Sequence, residues 1–199
     1  MTTPAVLLRR GVRLEQGTLL WNVVGIVVLA VAAGSARSVA LVGFGLDSLI
    51  EIGASTVVLW ELAGTGAARQ ARALRLIAAA FLALAAYLTV QTVVALAVRH
   101  HAHPSAIGLG GTAVTAVAMF ALAAGKGRTG RRLGNPVLVA ESRVTVVDGL
   151  LAAAVLVGLV LDAALGWWWA DPVAALVIVY YAVREARTIH ADGQDEAHA

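Results

Sequence analysis

Residues 38–62 read SVALVGFGLDSLIEIGASTVVLWEL, and this stretch decides the fold. It contains no lysine or arginine, and its only charged groups are Asp47, Glu51 and Glu61. As a helix it exceeds the roughly 20 residues needed to cross about 30 Å of hydrocarbon. Asp47 and Glu51 stand at i and i+4, so both carboxylates project from one helical face about one turn apart. Asp47 lies about 13 Å along the helix from Ser38, near mid-depth of such a span. A carboxylate there costs roughly 2.5–3.5 kcal/mol on insertion scales, so two of them on one face mark a functional site.

The same apolar character continues in both directions. Further spans fall at about Thr18–Gly34, Leu74–Val98, Ala106–Ala124, Val137–Leu165 and Pro172–Val183. The chain of 199 residues is 60% hydrophobic and 14% charged, a balance no water-soluble surface of this size accommodates. The expected fold is all-α: a polytopic membrane protein with six transmembrane helices. Its expected organisation is a cytoplasmic N-terminal segment over 1–17, a six-helix transmembrane domain over 18–187, and a short cytoplasmic tail over 188–199, disordered because it is polar and short. Residues 1–20 lack the pattern of a removable signal peptide, so the first helix is expected to stay.

Assigning alternate sides places Arg9, Arg10, Arg13, Arg69, Arg72, Arg75, Lys126, Arg128, Arg131, Arg132, Arg143, Arg184 and Arg187 on one side, with only Arg37 and Arg99 on the other. The positive-inside rule then puts both termini in the cytoplasm of a cell (inner) membrane. Trp167, Trp168 and Trp169 fall at the outer end of the fifth span, where an aromatic belt is expected. The basic residues read as topology signals between spans, not as a nucleic-acid stripe. There is no cysteine, which excludes thiolate metal sites and disulfides. An intramembrane enzyme is not expected, because no HExxH pair or nucleophile–base constellation occurs.

Asp148 lies about 11 residues inside the fifth span, at a depth comparable to Asp47 and Glu51. With no lysine or arginine expected at that depth, the three carboxylates call for protons or a divalent cation as compensation. A site that exchanges one for the other is an antiporter. Two halves of three spans each would run in opposite directions, an inverted-repeat arrangement found in transporters. Glu141 lies near the cytoplasmic end of the fifth span, either guiding cations inward or as an interfacial charge beside Arg143. The outer-loop histidines His100, His101 and His103 suggest a solvated loop or a release point for an ion.

Three motifs carry a family resemblance. The stretch 38–55 resembles the second helix of the cation diffusion facilitator family, with Asp47 and Glu51 on its metal-binding positions. Residues 140–148, AESRVTVVD, resemble the family's fifth-helix motif, with Asp148 on the aspartate position and Val144 where a histidine is usual. Residues 166–176, GWWWADPVAAL, are similar to the start of the sixth helix. The resemblance implies a proton-coupled efflux transporter of Zn²⁺, Mn²⁺ or Fe²⁺, usually homodimeric, with metal ligands Asp47, Glu51 and Asp148. Asn22 and Glu141 are secondary candidates, and no cofactor is bound permanently: the divalent metal cation is the transported ligand. The expected partners are divalent metal ions, protons, the lipid bilayer and a second copy of the chain, with no nucleic acid. The sequence ends just after the sixth helix, so a short form without the family's cytoplasmic domain is expected. Loss of the imidazole leans selectivity from zinc toward harder ions such as Mn²⁺. The alternative function is a non-transporting membrane metal sensor or scaffold protein built on the transporter fold.

Overall fold

The computed structural model describes the backbone of residues 3–36, 39–98, 106–167 and 169–198; side chains at 28–47, 98, 106–108, 163, 171 and 190–198 lie outside that description. Arg37, Arg99, Trp168 and the histidines at 100, 101 and 103 lie outside the described residues altogether. Six helices follow one another: α1 (Pro4–Ala36), α2 (Val39–Leu62), α3 (Ala67–Val98), α4 (Ala106–Leu133), α5 (Pro136–Leu165) and α6 (Ala170–His198). Among the described residues there is no strand. By length and apolarity alone, Ala67–Ala97, Leu109–Leu133 and Pro136–Asp162 can each cross a membrane.

The helices outrun the apolar segments, and they do so at one end of the bundle. α1 begins well before Thr18, α4 continues past Ala124 to Leu133, and α6 continues past Val183 to His198. At 1.5 Å per residue, the 33 residues of α1 reach about 50 Å, beyond the thickness of the hydrocarbon core. Side chains are buried at that end as well, among them Leu7, Ala71, Leu138 and Ile189. The tail expected to be disordered therefore differs from the observed backbone, which is helical to His198, with Ile189 anchored in the core.

Corners are set by local chemistry. Between α4 and α5 only Gly134 and Asn135 leave the helix, although residues 125–136 have the composition of a polar loop. Gly134 takes φ of 64°, a left-handed conformation open to glycine, and Asn135 caps α5 by accepting from the Leu138 amide at 2.8 Å. Its own amide donates to both Glu61 carboxylate oxygens at 2.9 and 3.1 Å, tying the start of α5 to the end of α2. α5 ends at Gly166, φ 70°, whose N–H returns to the Asp162 carbonyl at 2.9 Å. Trp167 and Trp169 follow, exposed and stacked at 5.4 Å between ring centres.

Packing sorts the six helices into two groups. α1 packs on α2, α2 on α5, α5 on α4 and α4 on α1, closing a four-helix ring; α3 and α6 pair closely and lean on α5, with α3 also touching α2. The aliphatic core lies between the pair and the ring, around Ile77, Phe81, Leu84, Val144, Ala182 and Ile189. The outer surface is apolar as well: Leu20, Val90, Val117 and Tyr180 are among many large side chains left exposed, as a lipid-facing surface requires. The ring has a polar interior, and the remaining buried charge is there.

Candidate functional site

α1 turns a narrow polar stripe inward. Gly11, Glu15, Thr18 and Asn22 are all buried, at spacings of four, three and four that keep them on one face. α2 adds Glu51 and Ser55, one turn apart, and α5 adds Glu141 and Thr145, also one turn apart. α4 adds Lys126, whose side chain is wholly excluded from solvent.

These side chains form one connected network. Lys126 Nζ lies 2.7 Å from Glu141 Oε1 and 3.1 Å from Glu15 Oε2, and it donates to Thr145 Oγ1 at 3.1 Å. Thr145 Oγ1 donates in turn to Glu51 Oε1 at 2.7 Å. Ser55 Oγ donates to Glu141 Oε1 at 3.3 Å. An ammonium has three donors and no acceptor, and here two groups of α5, Glu141 and Thr145, accept from it while Glu15 of α1 pairs with its charge. Both Glu15 carboxylate oxygens and Glu141 Oε2 are buried without a hydrogen-bond partner among the described residues. Three buried carboxylates thus gather around a single cation.

Close helix approach makes this possible. A Cβ at Gly125 would lie 3.0 Å from Leu14, one at Gly127 3.1 Å from Ser142 Oγ, and one at Gly130 3.0 Å from the backbone nitrogen of Val139. Glycines on α4 let α1 and α5 approach on either side of Lys126. The residues GKGRTG at 125–130 are thus a packed helix segment and not a loop.

The expected site residues fall as follows. Glu51 is 2% exposed, inside the ring, and the charge of Asp148 acts on it together with those of Glu141 and Lys126. Asp148 is half-buried and lies one turn beyond Thr145 on α5. The structure brings these two together. Asp47 is in α2, one turn before Glu51, and its side chain lies outside the described residues. Among the described residues no three acidic or histidine side chains gather as a metal shell. Asn22 is buried in α1, with its amide nitrogen donating to the Thr18 carbonyl at 3.0 Å. Val144 is packed in the aliphatic core with Val147 and Ala140.

Three expectations are corrected. Lys126 is not a topology signal in a loop, and Glu51 does not lack a cation at its depth, because Lys126 reaches it through Thr145. Glu141 is neither an interfacial charge nor paired with Arg143: it holds Lys126, while Arg143 pairs with Glu185 on α6. Sequence reasoning missed Glu15, Ser55 and Thr145. The signal that finds Glu15 is the regular spacing of small and polar residues from Gly11 to Asn22.

A buried polar seam inside a ring of apolar helices marks a functional site. The profile of the cation efflux transmembrane domain matches residues 18–193, nearly the whole chain. Comparison with curated proteins returned no match.

Proposed function

Because the chain belongs to the cation efflux family, we propose that it is a proton-coupled exporter of a divalent metal cation, Zn²⁺, Mn²⁺ or Fe²⁺, bound by Asp47, Glu51 and Asp148. The observation that carries the proposal is Glu51: a carboxylate excluded from solvent, oriented by the Thr145 hydroxyl at 2.7 Å, with the charge of Asp148 acting on it. A pair of neighbouring carboxylates, one of them buried, favours either protons or a divalent ion, and metal ligands must be deprotonated, so each cargo displaces the other. Asp47, one turn along α2, supplies the third oxygen ligand, and Asn22 or water completes the shell. All-oxygen ligation, with Val144 in the aliphatic core, leans the site toward Mn²⁺.

The arginine-rich end of the bundle faces the cytoplasm on the positive-inside rule, in a cell membrane, and the metal approaches from there. Rocking of the helix ring then presents the site to the other side, where protons reload it. The working unit is a homodimer. The decisive experiment is metal-driven proton release from proteoliposomes, with Zn²⁺, Mn²⁺ and Fe²⁺ compared in wild type, Asp47→Ala and Asp148→Ala. Flux lost in both variants supports the antiporter and identifies its ion. Metal binding without flux overturns transport in favour of a sensor or scaffold, and absence of both removes the three-carboxylate site.

A further inference from the structure

Lys126 has no part in holding a divalent cation, yet it is the most fully bonded charge in the interior. Its ammonium joins α1 through Glu15, α5 through Glu141 and Thr145, and α2 through Thr145 to Glu51. Every helix of the ring is therefore tied to the others at one point. That point lies between Glu51 and the arginine-rich end. Gly11 packs there against Leu62 and Leu138, and Gly130 against Val139, and none of Glu15, Ser55, Lys126, Glu141 or Thr145 is reached by solvent.

We propose that Lys126 is a gating residue for transport: its ammonium latches α1, α4 and α5 shut over Glu51 and Asp148 at the arginine-rich end, and the latch must release before a cation reaches them from that side. The proposal rests on the transport reading for its purpose and on the packing for its existence. Opening that end requires α1 and α5 to separate around α4, which breaks the contacts to Glu15 and Glu141. Taking the ammonium away leaves Glu15 and Glu141 buried without the cation that joins them, so the tie holding α1, α4 and α5 together at that end is lost. Lys126 does not bind the cargo; it sets the fraction of molecules in which the site is open to that end.

The chain has no cysteine, so a single introduced thiol reports on the opening. Ser55→Cys places that thiol one turn from Glu51, at a position with 0% exposure. Vesicles holding the full chain are treated with a membrane-impermeant maleimide from each face separately. With Ser55→Cys as the only change, the thiol is expected to be inert from the arginine-rich face. With Lys126→Met added, its labelling from that face is expected to rise at least about tenfold, well inside the more than roughly hundredfold that breaking a buried ion pair can bring. Lys126→Arg, which keeps the cation, should return labelling toward the rate of the Ser55→Cys parent. Glu15→Gln keeps the lysine and one carboxylate, should give an intermediate rate, and decides the question alone if Lys126→Met does not fold. A second readout separates gating from loss of structure: for cations offered from that face, Lys126→Met should lower both the apparent KM and kcat, because the site is open more often but closes less readily.

The latch is refuted if Lys126→Met and Glu15→Gln, eluting as folded protein, leave labelling within about twofold of the Ser55→Cys parent, or if the thiol becomes reactive only from the opposite face. Labelling does not depend on metal. Exposure of the introduced thiol without flux in any variant would sustain the latch and sink the transport reading, whereas flux with unchanged labelling would do the reverse.

Discussion

Replacing Thr145 with valine removes one hydroxyl and almost no volume, which isolates the support of Glu51 from the packing around it. The hydroxyl has one proton, and the 2.7 Å contact to Glu51 Oε1 outcompetes the 3.3 Å contact to Glu141 Oε1. Its lone pairs accept from Lys126 Nζ at 3.1 Å. Without it, the hydrogen bond that orients the Glu51 carboxylate between the charges of Lys126 and Asp148 is lost. A hydrogen bond to a charged group contributes about 1.5–3 kcal/mol, which corresponds to a roughly ten- to hundredfold change in an equilibrium constant. Loss of a group that orients a metal ligand weakens affinity by about the same factor. Thr145→Val is therefore expected to weaken Mn²⁺ or Zn²⁺ binding by roughly ten- to hundredfold in calorimetry on protein in nanodiscs, while Thr145→Ser stays near wild type. Binding by Thr145→Val within about twofold of wild type would refute the role of this hydroxyl, and with it the claim that Glu51 needs orienting.

Two further substitutions probe packing and selectivity. Gly130→Ala puts a Cβ 2.9 Å from Val139 Cγ2 and 3.0 Å from its backbone nitrogen, so α4 and α5 must move apart; a loss of about 1–3 kcal/mol is expected as a lowered thermal midpoint. Gly110→Ala on the same helix meets nothing within 4 Å and should be neutral or stabilising, which makes it the control in the same melt. Val144→His returns an imidazole to α5 four residues before Asp148, and the ratio of Zn²⁺ to Mn²⁺ affinity is expected to rise; an unchanged ratio would show that this position does not face the ion.

Much of the fold was legible because a spanning helix announces itself by length and apolarity, and residues 38–62 do both while carrying Asp47 and Glu51. The α5 aspartate was legible for the same reason: a charge in such a run has no cheap explanation. Lys126 was not legible, because glycine, lysine and arginine at 125–132 have the composition of a loop. Only when Leu14, Ser142 and Val139 are seen against those glycines does the segment become a helix that needs them. Glu15 was obscured by its neighbours Arg9, Arg10 and Arg13, which gave the whole segment the look of an interface. Ser55 and Thr145 carry no charge, and their importance arises from what lies opposite them on another helix, which one chain's spacing does not encode. The ends of α1, α4 and α6 were misplaced because hydropathy marks where lipid stops and says nothing of where the backbone keeps its hydrogen bonds.

The contact between Lys126 and Glu141 spans only 15 residues of chain, across the α4–α5 corner. During synthesis the lysine is made first, and at about 5–20 residues per second its carboxylate partner follows about one to three seconds later. A lone ammonium held in lipid for that interval costs roughly 2.5–3.5 kcal/mol on insertion scales, a cost removed once Glu141 arrives. α4 and α5 are therefore suited to insertion together as a hairpin in which Lys126 is already paired with Glu141, with the turn at Gly134 and Asn135 closed.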